Sequence, residues 1–157
     1  MGWTPPAWAA DSYAHALPRP RVSPLRGGGC GWRDQYGEPV SVEWEQVVLD
    51  AKDPVALGRW WADMLGWIVL NDAPDEFEIR PSVDRMPGLI FEPVSETKRG
   101  KNRLHLDLRP DDQQAEVERF LAAGARHADI GQRDVSWVVL AYPEGNEFCI
   151  LRGRIKD

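Results

Sequence analysis

Four side chains of types that bind metals or move protons stand out by their place in alternating stretches: Gln46, Glu92, His105 and Cys149. An amide oxygen, a carboxylate, an imidazole and a thiolate can all ligate a borderline divalent ion. Each sits in a short stretch where apolar residues alternate with others. Val47 and Leu49 oppose Gln46 and Val48, and Leu89 and Phe91 oppose Ile90 and Glu92. Leu104, Leu106 and Leu108 oppose Arg103, His105 and Asp107, while Phe148 and Ile150 oppose Glu147, Cys149 and Leu151. If these are strands, the apolar faces pack on helices and the opposite faces carry the four chemical groups. Such a set favours zinc, nickel, iron or manganese over magnesium or calcium. Each residue also has a plainer use. A histidine on a strand is ordinarily hydrogen-bonded structure, and a lone cysteine is ordinarily a small buried hydrophobe. Gln46 is a weak neutral ligand, and Glu92 precedes Pro93 at a strand end.

The elements that would position these residues are legible. Val42 to Asp50 is rich in valine and reads as a strand. Asp53 and Pro54 then open a helix as N-cap and first position, and Gly66 closes it. Ala56, Leu57, Trp60, Trp61, Met64 and Leu65 form its apolar stripe. Trp67 to Leu70, Phe77 to Arg80 and Leu89 to Phe91 are three further strands. The order repeats: a strand from Arg103 to Arg109, a helix opened by Pro110-Asp111-Asp112 and ended by Gly124, then strands from Ala125 to Ile130, Trp137 to Ala141 and Glu147 to Leu151. Gln46 aligns with His105 at an offset of 105 − 46 = 59 residues. The chain therefore reads βαβββ twice, as an α+β fold of two units packed side by side.

The surroundings add detail. The eight tryptophans serve mainly for packing, but Trp44 and Trp137 lie on predicted strands and are candidate pocket walls for a flat ligand. Arg103 belongs to a basic cluster with Lys98, Arg99 and Lys101, read as a solvated loop or as a rim for an anionic group. Asp107 shares the face of His105. The net charge of −6 argues against general nucleic-acid binding, and no apolar run approaches the length of a membrane span. Twelve of the first 41 residues are proline or glycine, so 1–41 reads as an extension that adds little to the core. The domain then occupies 42–157, with modules of about 42–95 and 102–152. No secretory signal is evident, and Cys30 and Cys149 do not make a disulfide scaffold, so a reducing cytoplasm is the expected compartment.

The stretches Val47-Val48-Leu49-Asp50-Ala51-Lys52-Asp53-Pro54 and Trp60-Trp61-Ala62-Asp63-Met64-Leu65-Gly66-Trp67 resemble the opening of a glyoxalase-like domain. Lys101-Asn102-Arg103-Leu104-His105-Leu106-Asp107-Leu108 and Tyr142-Pro143-Glu144-Gly145-Asn146-Glu147-Phe148-Cys149 resemble its second half. The resemblance, to the vicinal oxygen chelate superfamily, covers about residues 42–152. It implies paired βαβββ modules, a cup-shaped mixed sheet with helices on the outer face, and a site in the cup. It also implies that Gln46 and Glu92 take the ligand positions of the first module, and His105 and Cys149 those of the second, with Gln46 superposed on His105 and Glu92 on Cys149. Cys149 stands where glyoxalase I has a carboxylate that also acts as base. Two functions follow as expectations. One is a metal-dependent lyase, isomerase or dioxygenase acting on vicinal oxygens, with Glu92 moving a proton. The other is a metal-free, ligand-sequestering protein of the bleomycin-resistance type. Trp44, Arg103, Asp107 and Trp137 are the expected substrate contacts, a small molecule the expected partner, and a homodimer the expected assembly.

Overall fold

The structure, a computed structural model, describes residues 42–153. The expectation for the extension at 1–41 therefore lies outside the described residues. The elements run β1 (Gln46–Ala51), α1 (Pro54–Leu65), β2 (Ile68–Asp72), β3 (Phe77–Arg80), β4 (Gly88–Pro93), β5 (Asp107–Leu108), α2 (Gln113–Ala122), β6 (Arg126–His127), β7 (Val138–Ala141) and β8 (Glu147–Ile150). They form two four-stranded mixed sheets, ordered β1-β4-β3-β2 and β5-β8-β7-β6. In each, the first strand runs parallel to the last and the other pairs are antiparallel. The fold is α+β, built of two βαβββ modules. Val48 pairs with Ile90 and Asp107 with Cys149, so both partners shift by 59 (107 − 48 and 149 − 90).

Local chemistry accounts for the helices. Asp53 Oδ1 accepts from the Ala56 N–H at 2.9 Å, Pro54 needs no donor partner at the first turn, and Gly66 closes α1 at φ 65°. Asp112 caps α2 in the same way through Ala115 N–H at 3.1 Å. The stripe of α1 delivers Leu57, Trp61 and Ala62 to the core. Trp60 and Trp61 meet Phe120, Tyr142 and Phe148 of the second module, with ring centroids 5.3–6.4 Å apart. Trp60 Nε1 also donates to the Ala123 carbonyl at 2.8 Å, and Arg119 Nη2 donates to that of Met64 at 2.7 Å. The two modules therefore share one aromatic core.

Two strands are shorter than the alternation suggests. The strand expected over Arg103 to Arg109 is reduced to Asp107–Leu108, and Leu104 is 62% exposed instead of lying under the helices. The cause is a competing contact: the Asn102 N–H donates to Glu147 Oε2 at 3.1 Å, which pulls the chain off a ladder path. The strand expected over Ala125 to Ile130 is Arg126–His127 alone. There the Gln132 side chain accepts from Ile130 N–H at 2.7 Å and donates to Ala128 O at 3.0 Å, satisfying locally the groups a ladder would have used.

Gly58 packs α1 onto β3. A Cβ there would lie 2.1 Å from Phe77 Cδ1, and Phe77 is fully buried. Gly58→Ala is therefore expected to destabilise by about 2 kcal/mol, the overpacking penalty exceeding the ~1 kcal/mol that alanine gains in a helix. Urea unfolding of Gly58→Ala and of Gly58→Ala with Phe77→Leu checks this. A single variant as stable as the parent would show that Phe77 yields freely.

Candidate functional site

Residues paired across a ladder share a face, which defines the surface turned away from the helices. In the first module β1 and β4 place Gln46 beside Gly88, Val48 beside Ile90, and Asp50 beside Glu92. Gln46 and Glu92 thus stand four residues apart along the ladder, about 13 Å at the usual rise. Glu78 joins this face opposite Ile90, and Arg80 lies beyond it over Gly88, where a Cβ would meet Arg80 Cγ at 3.1 Å. Arg80 Nε donates to Glu78 Oε1 at 2.6 Å and Nη2 to Glu45 Oε1 at 2.7 Å. Those two carboxylates raise the Arg80 pKa. Neither Glu78 nor Arg80 was among the residues expected here. The signal was present in Phe77-Glu78-Ile79-Arg80, where strict alternation of two core residues forces the two charges onto the opposite face.

In the second module Asp107 pairs directly with Cys149, and His105 lies two residues before Asp107. His105 Nδ1 is 3.7 Å from Cys149 Sγ, and Lys101 Nζ is 3.3 Å from His105 Nε2. Burial pushes the Cys149 thiol up to about 11, and the neighbouring Asp107 carboxylate pushes the same way. Following the ladder, His105 is level with Glu147 and Cys149 corresponds to Ile90. Glu92 corresponds to Leu151, whose N–H donates to Leu108 O at 2.8 Å. The expected superposition of Glu92 on Cys149 is therefore corrected by two residues.

Glu147 is one of the buried charges of the domain. Burial alone would raise its pKa, but the Lys98 ammonium at 2.8 Å and the Asn102 N–H outweigh it and hold the carboxyl below its usual range. Lys98 is consequently no solvated loop residue, unlike Arg99 and Arg103, which are exposed. Between β1 and residues 102–106 lies a cleft of about 240 Å³, lined by Val48, Asp50, Arg103, Leu104, Tyr142 and Glu147. It leads toward a wider recess of about 620 Å³ around Asp50, Lys52, Lys98 and Asn146. Glu144, on the turn before β8, reaches back to the first module and accepts from Lys52 N–H at 2.8 Å and Asp53 N–H at 3.0 Å. Trp137 is 40% exposed and walls a separate recess of about 670 Å³ with His127, Asp129, Arg133 and Asp134. Trp44 is exposed before β1, its indole donating to Gln46 O at 3.1 Å.

The donor set can be tested against a divalent ion. Among the described residues, no three histidine, cysteine, aspartate or glutamate side chains are grouped closely enough to hold one. The structure brings His105 to Cys149, sets Asp107 across the ladder from Cys149, and leaves Gln46 and Glu92 four positions apart on the β1–β4 ladder. Among the described residues the four expected ligands do not come together as one metal centre. Among the described residues no helix is long and apolar enough to cross a membrane.

The family model described as a glyoxalase-like domain matches residues 46–151. Among solved structures, a glyoxalase/bleomycin resistance protein/dioxygenase family enzyme from Burkholderia phytofirmans PsJN aligns with a TM-score of 0.55. It is 20% identical over 69% of this chain and 97% of its own. The trypanothione-dependent glyoxalase I of Leishmania major aligns at 0.54 with 14% identity, over 71% and 87%. A bleomycin-binding protein from Streptomyces verticillus aligns at 0.51 with 18% identity, over 73% and 99%. At such identities the likeness is one of fold. No curated protein matches the chain.

Proposed function

Because the chain belongs to the glyoxalase-like domain family, we propose that it is a small-molecule-binding protein that holds a flat organic ligand in the recess walled by Trp137, without a metal ion. The observation that carries this reading is the β1–β4 register, which parts Gln46 from Glu92; in addition, among the described residues no third histidine, cysteine, aspartate or glutamate is grouped with His105 and Cys149. The exposed Trp137 indole, with Asp129 and Asp134 beside it, suits a planar cation through stacking and charge. The net charge of −6 draws such a ligand inward. Arg103 at the cleft, Asp107 on β5 and Trp44 before β1 are proposed as further, separate ligand contacts.

The full chain, purified without chelator, is dialysed against zinc, nickel, manganese and iron in turn, then titrated calorimetrically with a planar cation such as thioflavin T. The expected result is no stoichiometric metal, and cation binding that is insensitive to EDTA and weakened at least tenfold in Trp137→Ala. One equivalent of metal that disappears in His105→Ala would overturn this reading in favour of a metal-dependent lyase, isomerase or dioxygenase.

A further inference from the structure

The side chains around Cys149 form a chain of contacts with a single consistent direction. Lys101 carries an ammonium, which donates hydrogen bonds and cannot accept them. Its 3.3 Å contact with His105 therefore makes Nε2 the acceptor. A neutral imidazole that accepts at Nε2 carries its proton on Nδ1. Nδ1 faces Cys149 Sγ at 3.7 Å, so the ring N–H points at sulfur. Asp107 stands directly across the ladder from Cys149. Lys101 thus donates to His105, and His105 to Cys149.

We propose that Lys101 closes the His105–Cys149 pair into a one-way hydrogen-bond relay in which Lys101 is the positioning residue that fixes the histidine tautomer. The relay explains why residues of ligating type sit together without forming a metal site. Both ring nitrogens of His105 are occupied, one by a positive charge that a second cation would have to displace. It also sets what a ligand meets. The unused ammonium donors of Lys101 stand at one end of the relay and Asp107 lies across the ladder from the other, both side chains being exposed. The relay does not depend on the ligand reading, since it is made by the protein alone.

Nitrogen spectroscopy reads the tautomer directly. The full chain is labelled with [15N]histidine, and long-range proton–nitrogen correlations are recorded at pH 8.5, where an ordinary imidazole is neutral. His105→Gln identifies the signals of that ring. The expected result is a protonated Nδ1 and an unprotonated Nε2 in the parent and in Lys101→Arg, with the proton moving to Nε2 in Lys101→Met. Cys149→Ala should keep the parent pattern, because the ammonium still occupies Nε2. A proton on Nε2 in the parent overturns the proposal. So does a Lys101→Met spectrum identical to the parent, or a tautomer that changes in Cys149→Ala but not in Lys101→Met. These outcomes are independent of the dye titration, which reports on the Trp137 recess and not on the ring.

Discussion

Trp61→Ala is expected to remove about 3–5 kcal/mol of stability and lower the melting temperature by roughly 15–30 °C. Trp61 is fully buried and stands among Trp60, Phe120, Tyr142 and Phe148. Three of these belong to the second module, so the cavity left by truncation opens where the modules meet. Their edge-to-face contacts are worth something beyond their buried area. Among the described residues the indole N–H of Trp61 has no hydrogen-bond partner. Trp61→Phe discards that unpartnered donor along with part of the ring, and should therefore cost less than half as much as alanine. Chemical unfolding of the two variants separates the contributions. If alanine costs under 1 kcal/mol, stability resides within the modules and not in the aromatic core they share.

The second large effect is expected at Lys98. Its ammonium is 2.8 Å from Glu147, and the two side chains are 18% and 10% exposed. Lys98→Met leaves the carboxylate buried with only neutral backbone N–H groups, those of Asn102 and of Glu147 itself, as partners among the described residues, and should cost about 3 kcal/mol at pH 7. The dependence on pH gives the cause away. In the parent the Glu147 pKa is lowered on folding, so its contribution is full above the ordinary carboxylate range and is lost as pH falls through the depressed folded value. In the variant, burial without the ammonium raises the same pKa. The folded state then takes up a proton before the unfolded one does, and the deficit shrinks as pH falls from 7 toward 5. Unfolding free energies of parent and variant at both pH values decide the matter. A gap that stays constant would mean that Lys98 acts through its aliphatic stem, and Lys98→Met with Glu147→Gln should recover most of the loss.

Much of the fold is legible locally. Asp53-Pro54 and the stripe ending at Gly66 mark α1 to the residue, and Phe77-Glu78-Ile79-Arg80 marks β3. The repeat offset of 59 is also readable and agrees with both ladders. The site is less legible, for a reason of geometry. Sliding one strand past another by one residue turns every side chain over, but sliding by two returns each to its own face. Alternation therefore assigns Glu92 and Cys149 to the correct face and is silent on their height along it. Placing Glu92 over Cys149 satisfies the pattern as well as the observed match to Ile90 does. The shortness of β5 was hidden for a different reason, since it depends on a contact between Asn102 and Glu147, 45 residues apart. Glu78 and Arg80 went unnoticed because their types do not suggest metal chemistry, although their positions on the strand were plain.

The carboxylate of Glu144 carries a consequence for synthesis on the ribosome. It accepts the N–H groups of Lys52 and Asp53, about 90 residues earlier in the chain. At some 5–20 residues per second, that segment takes roughly 5–20 s to make. Throughout that interval the α1 entrance lacks this acceptor, and the second-module partners of Trp60 and Trp61 are not yet complete. Loop closure over such a distance is entropically slow to form and contributes only once both ends are present. The nascent first half is therefore the stage at which this chain is most open to proteolysis and mispairing, and completion of the turn before β8 brings that stage to its end.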